Sequence, residues 1–196
     1  MNRLVMMSNG LRIRLSVGLA LLYRVILPYF AGMPKSKDKS SQKAECNMIK
    51  ERTTDDYVQV SAVAWQPFPG EFSAGGIRWK LLHISPEVGA WAAIFDCPKG
   101  SSFASHIHVG PGEYFLTKGK MEVRGGAEQG GATAVAVGYG YEACNARHDQ
   151  THFLEDSEFY MTFLGPLQFI DKDGNTLAVV GWQQAQALWA HQTGQQ

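Results

Sequence analysis

The stretch Gly100-Ser-Ser-Phe-Ala-Ser-His106-Ile-His108-Val-Gly-Pro-Gly-Glu113-Tyr-Phe-Leu-Thr-Lys-Gly119 decides the fold. Residues i and i+2 of an extended strand point to one face, so His106 and His108 present two imidazoles side by side. Imidazole nitrogen bonds Zn, Fe, Ni or Cu, at about 2.0–2.1 Å for zinc, and two rings at this spacing can share one ion. Two ordinary exposed strand histidines are the competing reading. Val109-Gly-Pro-Gly112 is a tight turn, and Glu113 opens the returning strand close to the pair. A third ring has to arrive from elsewhere. His148 lies forty residues beyond His108, after two strands and a Gly-rich loop, with His152 as its competitor.

Outward from this segment, the chain from Tyr57 onward reads as short strands between turns. Candidate strands are 57–64, 76–84, 90–97, 102–108, 113–118, 120–125, 132–137, 157–164, 166–171 and 176–181. Turn chemistry separates them at Pro98-Lys-Gly100, Gly110-Pro-Gly112, Gly125-Gly126 through Gly130-Gly131, and Asp171-Lys-Asp-Gly174-Asn175. Phe159, Met161 and Phe163 alternate with Tyr160 and Thr162, the period of a strand buried on one face. Many short strands predict an all-β sandwich or barrel, of which the double-sheet jelly roll is one solution. Only 182–191 reads as helix, short and C-terminal. No repeat of solenoid length is present.

The length of 196 residues suits one domain with a core, and 45% hydrophobic residues argue against disorder. Residues 1–44 hold eight Lys/Arg and one acid, Asp38. The remainder therefore keeps ten of the eighteen basic and seventeen of the eighteen acidic residues. A domain that acidic, without a basic run, excludes nucleic acid as the expected partner. Cys46, Cys97 and Cys144 are too few and too scattered for a disulfide framework, which points to a reducing compartment.

The first forty-odd residues are set apart. Residues 15–32 are apolar except for Arg24, whose insertion near a bilayer centre costs roughly 2.5–3.5 kcal/mol. A stable membrane span is not expected. A signal peptide fits badly, because Arg24 splits the apolar region and no clean A-x-A site follows. The acid-poor, Arg-bearing composition is closer to an organellar transit peptide, and translation starting at Met33 or Met48 is a further reading. The expected organisation is a leader and linker over 1–46, outside the fold, and one domain over 47–196. The expected location is cytoplasmic, or mitochondrial if the leader is a transit peptide.

Gly-x5-His-x-His-x4-Glu-x5-Gly resembles the first motif of the cupins, with a last spacer one residue shorter than usual. The second cupin motif expects Pro-x-Gly-x-x-His, and Ala143-Cys-Asn145-Ala-Arg-His148 keeps its histidine. The resemblance covers roughly residues 57–182 and implies a double-stranded β-helix, a jelly-roll barrel, closed by the short C-terminal helix. It implies a metal held by His106, His108 and His148, with Glu113 either a fourth ligand or a carboxylate acting in catalysis beside the ion. Within the cupins, Tyr141-Glu142-x5-His148 and the His-x-His before Gly-Pro-Gly look like the small dioxygenases that cleave carbon–carbon bonds next to carbonyls. That group includes 2,4'-dihydroxyacetophenone and acetylacetone dioxygenases and generally lacks the cupin glutamate. Fe(II) is the implied cofactor, with Zn(II), Mn(II) or Ni(II) as alternatives. A small carbonyl substrate and O2 are the implied partners, and a homo-oligomer is expected.

The competing function is a non-catalytic, zinc-binding regulatory cupin similar to the cupin part of anti-sigma factors, and a cupin isomerase is a third. Phe103, Phe115, Phe159 and Phe163 are candidates for an apolar pocket wall. Glu142 and Arg147 read as a surface or supporting pair, and His83 and His191 as packing or surface residues. Trp65, Trp79 and Trp91 are core or pocket-wall candidates. Gly138-Tyr-Gly140 is not a nucleotide loop, because no strand–loop–helix unit surrounds it. No G-x-S-x-G or comparable nucleophile motif supports hydrolysis.

Overall fold

A computed structural model describes residues 57–194 and places fifteen strands and one α-helix there. The strands run from Gln66–Pro67 (β1), Ser73–Ala74 (β2) and Arg78–Ser85 (β3) to Ala90–Cys97 (β4) and Ser102–Phe103 (β5). His106–His108 (β6), Gly112–Lys118 (β7), Lys120–Val123 (β8), Ala132–Val135 (β9) and Gly138–Glu142 (β10) follow. The last are Arg147–His148 (β11), Thr151–Phe153 (β12), Ser157–Phe163 (β13), Leu167–Ile170 (β14) and Thr176–Val180 (β15). Helix α1, Trp182–Thr193, closes the described chain.

They assemble into a six-stranded sheet β1-β3-β4-β13-β7-β10, a four-stranded sheet β11-β6-β14-β15, and a five-stranded sheet β2-β5-β12-β8-β9. Every pairing is antiparallel. The all-β jelly-roll expectation holds. β13 alternates as its sequence predicts: Phe159, Met161 and Phe163 are buried, while Tyr160 is exposed. The β4–β13–β7 register brings Phe95, Phe159 and Leu116 into one inward row. The inward faces meet in an aromatic core, where Phe95 stacks on Phe159 with centroids 5.0 Å apart and Phe163 stacks on Trp91 at 3.8 Å. Each fully buried ring of this size is worth about 1.5–3 kcal/mol of hydrophobic free energy.

Several expectations needed revision. Residues 57–64 form no strand; Val60–Ala62 is a 3-10 turn, and the chain enters the sheet only at Gln66. The Lys80 ammonium donates to the Val60 carbonyl and lies over the Trp65 ring, tying this segment down by polar and cation–π contacts instead of a ladder. Segment 102–108 breaks into β5 and β6, which pair in different sheets. The helix runs two residues beyond its predicted end and stops where Gly194 adopts φ 69°. Trp189 packs edge-on against Trp79 at 5.6 Å, and Trp79 Nε1 donates to Gln192 Oε1, so the helix docks on β3.

No helix among the described residues is long and apolar enough to cross a membrane. The expectations for 1–46, Arg24 and Cys46 lie outside the described residues.

Candidate metal centre

β6 sets the first two rings. His106 and His108 are buried and Ile107 points to the other side, as the period of a strand requires. Behind them, Gly110 lets the turn press against the segment after β13. A Cβ there would lie 2.1 Å from the Leu164 carbonyl oxygen, so no larger residue fits without moving backbone. Val109 N–H donates to the Pro166 carbonyl and Leu164 N–H to the Pro111 carbonyl, locking that approach.

The third ring arrives through β11, where His148 pairs directly with His106. The turn that delivers it departs from the second cupin motif at two positions, Ala143 for proline and Asn145 for glycine. Asn145 stands where that motif has glycine, and it adopts φ 63°, a left-handed conformation that asparagine tolerates better than most side-chain-bearing residues. Asn145 N–H donates to the His108 carbonyl and His108 N–H to the Ala146 carbonyl, which pins the turn to β6.

One nitrogen from each of His106, His108 and His148 lies within 4.8 Å of the others, and all three residues are buried. His152, the competing third ligand, is not in this group; its Nε2 bonds Gln150 Oε1 at 2.8 Å. His106 Nδ1 lies 2.7 Å from the Ala104 carbonyl, which holds the proton on Nδ1 and leaves the Nε2 lone pair free to ligate. Burial pushes the His106 imidazole down to about 4 and His108 to about 3, so both rings are neutral near pH 7. Neutral imidazole is the form that binds a metal.

Glu113 is not part of this cluster. It lies on the exposed face of β7, directly across from Tyr141 of β10, and desolvation together with its charge raises the nearby Tyr139 hydroxyl on the same outer side. The expectation that it reaches the ion as ligand or catalytic group is therefore corrected. It fails by strand parity: Gly112, Tyr114 and Leu116 take the inward positions of β7, and 113 must point out.

The carboxylate at the site is Glu142, read from sequence as a supporting partner of Arg147. Arg147 instead pairs with Asp149 at 2.9 Å. Glu142 Oε2 lies 2.8 Å from His148 Nε2, with its side chain only 12% exposed. That approach misses hydrogen-bond geometry, and His148 Nε2 and His108 Nδ1 remain buried nitrogens without a hydrogen-bond partner. Burial raises the Glu142 carboxyl, but contact with His148 and the charges around it outweigh this and hold it below the usual range.

Tyr114 completes the polar side of the site. Its ring crosses β10 at Gly140, its direct cross-strand partner, where a Cβ would sit 2.1 Å from the ring carbon bearing the hydroxyl. Burial and the Glu142 charge raise the Tyr114 hydroxyl, so it stays protonated as a donor. The signal for both residues was present: Gly138, Gly140 and Glu142 alternate with Tyr139 and Tyr141. Glycine at two of three inward positions hides that strand from a hydrophobic-period search.

The cavity at the histidines has a volume of about 50 Å³. Phe103, Phe159, Phe163, Met161 and Phe169 line it, with Glu142, Tyr114 and Thr151 its polar groups beside the histidines. Phe115, the fourth predicted wall residue, points outward and is 45% exposed. Trp79 and Trp91 are core, and Trp65 lies under Lys80. His83 is exposed and bonds Ser85.

The family model of the ChrR cupin-like domain matches residues 53–168. The chain belongs to this cupin family. The acetylacetone-cleaving enzyme of Acinetobacter johnsonii is 60% identical to this cupin over 144 residues, which is 74% of this chain and 93% of that protein. A crystal structure of acetylacetone dioxygenase from the same organism superposes with TM-score 0.71 at 59% identity, covering 73% of this cupin and 96% of that chain. A Methylibium petroleiphilum structure assigned as an acetylacetone dioxygenase has TM-score 0.71 and 66% identity, over 73% and 99% of the respective chains. The cupin expectation and the resemblance to the ketone-cleaving group both hold.

Proposed function

We propose that this chain is a dioxygenase cleaving the carbon–carbon bond next to a carbonyl in a small β-diketone or hydroxyketone, with Fe(II) held by His106, His108 and His148. The observation that carries the reading is three buried imidazoles meeting beside one carboxylate at an apolar cavity. The similarity to acetylacetone-cleaving relatives supports the substrate class. Two buried histidine nitrogens without hydrogen-bond partners fit an ion in that place, because orphaned buried polar atoms are otherwise unfavourable. Fe(II), when bound, supplies Lewis acidity toward paired substrate oxygens and the redox capacity that reaction with O2 requires, which Zn(II) lacks.

The chain's own residues do the rest. Three neutral donors leave the site positively charged with a metal bound, which favours an enolate over the neutral ketone. Glu142, the single carboxylate lining the cavity, receives the proton the substrate gives up. The Tyr114 hydroxyl donates to a substrate oxygen and fixes its orientation. Phe103, Phe159 and Phe163 exclude water, and the small cavity selects substrates of few heavy atoms.

The deciding measurement is metal content of anaerobically purified protein, paired with oxygen uptake against a panel of diketones and hydroxyketones. Stoichiometric iron and uptake with two carbonyl or carboxylic fragments are expected. No uptake by fully Fe(II)-loaded protein overturns this reading in favour of a regulatory zinc cupin or an isomerase.

In this reading the cupin domain is 47–196, with 1–46 outside it, and the protein works as a cytoplasmic homo-oligomer. A chain begun at Met48 then stays soluble and binds metal fully; aggregation rescued by restoring the first 47 residues refutes that boundary.

A further inference from the structure

The outer face of the six-stranded sheet carries an aromatic row that the site does not use. Tyr139 on β10, Phe115 on β7 and Tyr160 on β13 are direct cross-strand neighbours, and Ile94 on β4 continues the row. Tyr141 lies in the next row beside Glu113, and Val137 is 73% exposed just before β10. The rings of Phe115, Tyr139, Tyr141 and Tyr160 are 45%, 63%, 58% and 38% exposed. Soluble domains normally turn polar side chains outward on a half-buried sheet.

We propose that this face is where a second copy of the chain packs, sheet against sheet about a two-fold axis near Phe115. The inference rests on the homo-oligomer reading above and assigns it a surface. Size is the first argument. At roughly 200 Å² per aromatic side chain, the four rings leave about 400 Å² open. One side of a standard interface buries about 800 Å², about 65% of it apolar in homodimers, so these rings supply most of the apolar area one subunit needs.

Polar bookkeeping is the second argument. Burying a tyrosine ring is unfavourable when its hydroxyl is left without a partner. Here Tyr160 Oη already shares a 2.7 Å hydrogen bond with Thr162 Oγ1. That phenol can therefore be covered without orphaning its hydroxyl, and the Tyr139 and Tyr141 hydroxyls lie toward the edge strand β10, where water can still reach them. Glu113, which strand parity removes from the metal centre, lies on this face directly across from Tyr141. Charge is the third argument. The row from Tyr139 to Ile94 carries no charge, and the charges bordering it nearly balance: Glu113 on one side, Glu158 and the Arg78–Asp96 pair on the other, and Lys80 beyond Ile94. A strongly basic or acidic partner therefore finds little net charge to pair with, whereas a near-neutral face can meet its own copy.

The test is the mass of the full chain by light scattering and its dissociation constant by sedimentation, for wild type, Phe115→Lys and Phe115→Glu. Each substitution on its own is expected to weaken self-association roughly tenfold or more, because a charge near the axis meets its own copy. An equimolar mixture of the two is expected to regain the wild-type mass, which a foreign partner or another segment of this chain covering the face would not produce. Unchanged melting temperature and metal content separate loss of the interface from loss of fold. A wild-type monomer overturns both the oligomer reading and this surface. An oligomer indifferent to both substitutions overturns the surface alone.

Discussion

At the residue scale, the centre is a matter of which side chains face inward. His148→Ala is expected to lose nearly all bound metal, while His152→Ala keeps it, because only His148 lies with His106 and His108. Metal analysis after dialysis checks this; the reverse pattern refutes the assignment. The two glutamates separate in the same way. Glu142→Gln keeps the shape but cannot take a proton, so turnover should fall by roughly 10²–10⁴-fold. Glu113→Gln, on the outer face, should leave turnover within a small factor of wild type. Steady-state oxygen uptake on equally iron-loaded proteins measures both, and equal losses would show that the inward carboxylate has no special part. From the sequence alone, His106 and His108 were legible because their spacing is itself the signal, whereas His148 came from the cupin resemblance with His152 as its competitor. Glu142 was not, because a single acid next to a basic residue reads as a surface pair.

At the element scale, β10 is the strand that the sequence concealed. Its inward positions Gly138 and Gly140 carry no hydrophobic side chains, so it lacks the period by which the other long strands declare themselves. Its function is to make room. Gly140→Ala places a methyl against the Tyr114 ring and is expected to destabilise by about 1–3 kcal/mol through overpacking. The displaced ring should also lower turnover more than metal content. In a Tyr114→Ala background the same substitution should cost far less stability, since the clash has been removed. Urea unfolding of the four proteins completes the cycle; an additive result would mean that Gly140 acts on something other than Tyr114. The opposite error occurred at 57–64, where alternating Val58, Val60 and an alanine suggested a strand. That segment has no neighbour to pair with and turns instead. Period reveals which side chains share a face, not whether a partner strand is available.

At the scale of the whole molecule, the buried histidines couple stability to pH. Folded, His106 and His108 titrate near 4 and 3, against 6.5 for an unperturbed ring. The unfolded chain therefore binds more protons between pH 6.5 and these values, and stability rises with pH across that window. Their contribution is complete above 6.5 and lost as pH falls through the folded values. Metal-free protein is expected to lose roughly 2–5 kcal/mol between pH 7 and pH 4.5 through these rings. A His106→Gln, His108→Gln variant should lack most of that loss. Urea midpoints at the two pH values measure it, and identical slopes in both proteins refute the coupling.

The amino-acid sequence by itself determined the all-β class, the turn positions and the paired imidazoles, and left their third partner between His148 and His152. These follow from local spacing, which period and turn chemistry encode directly. Tertiary structure alone decided that Glu142 faces the histidines while Glu113 does not, that Asn145 does the work of a glycine, and that Phe115 is surface. Each depends on register between strands distant in sequence, where a shift of one residue exchanges the inside of the barrel for its outside.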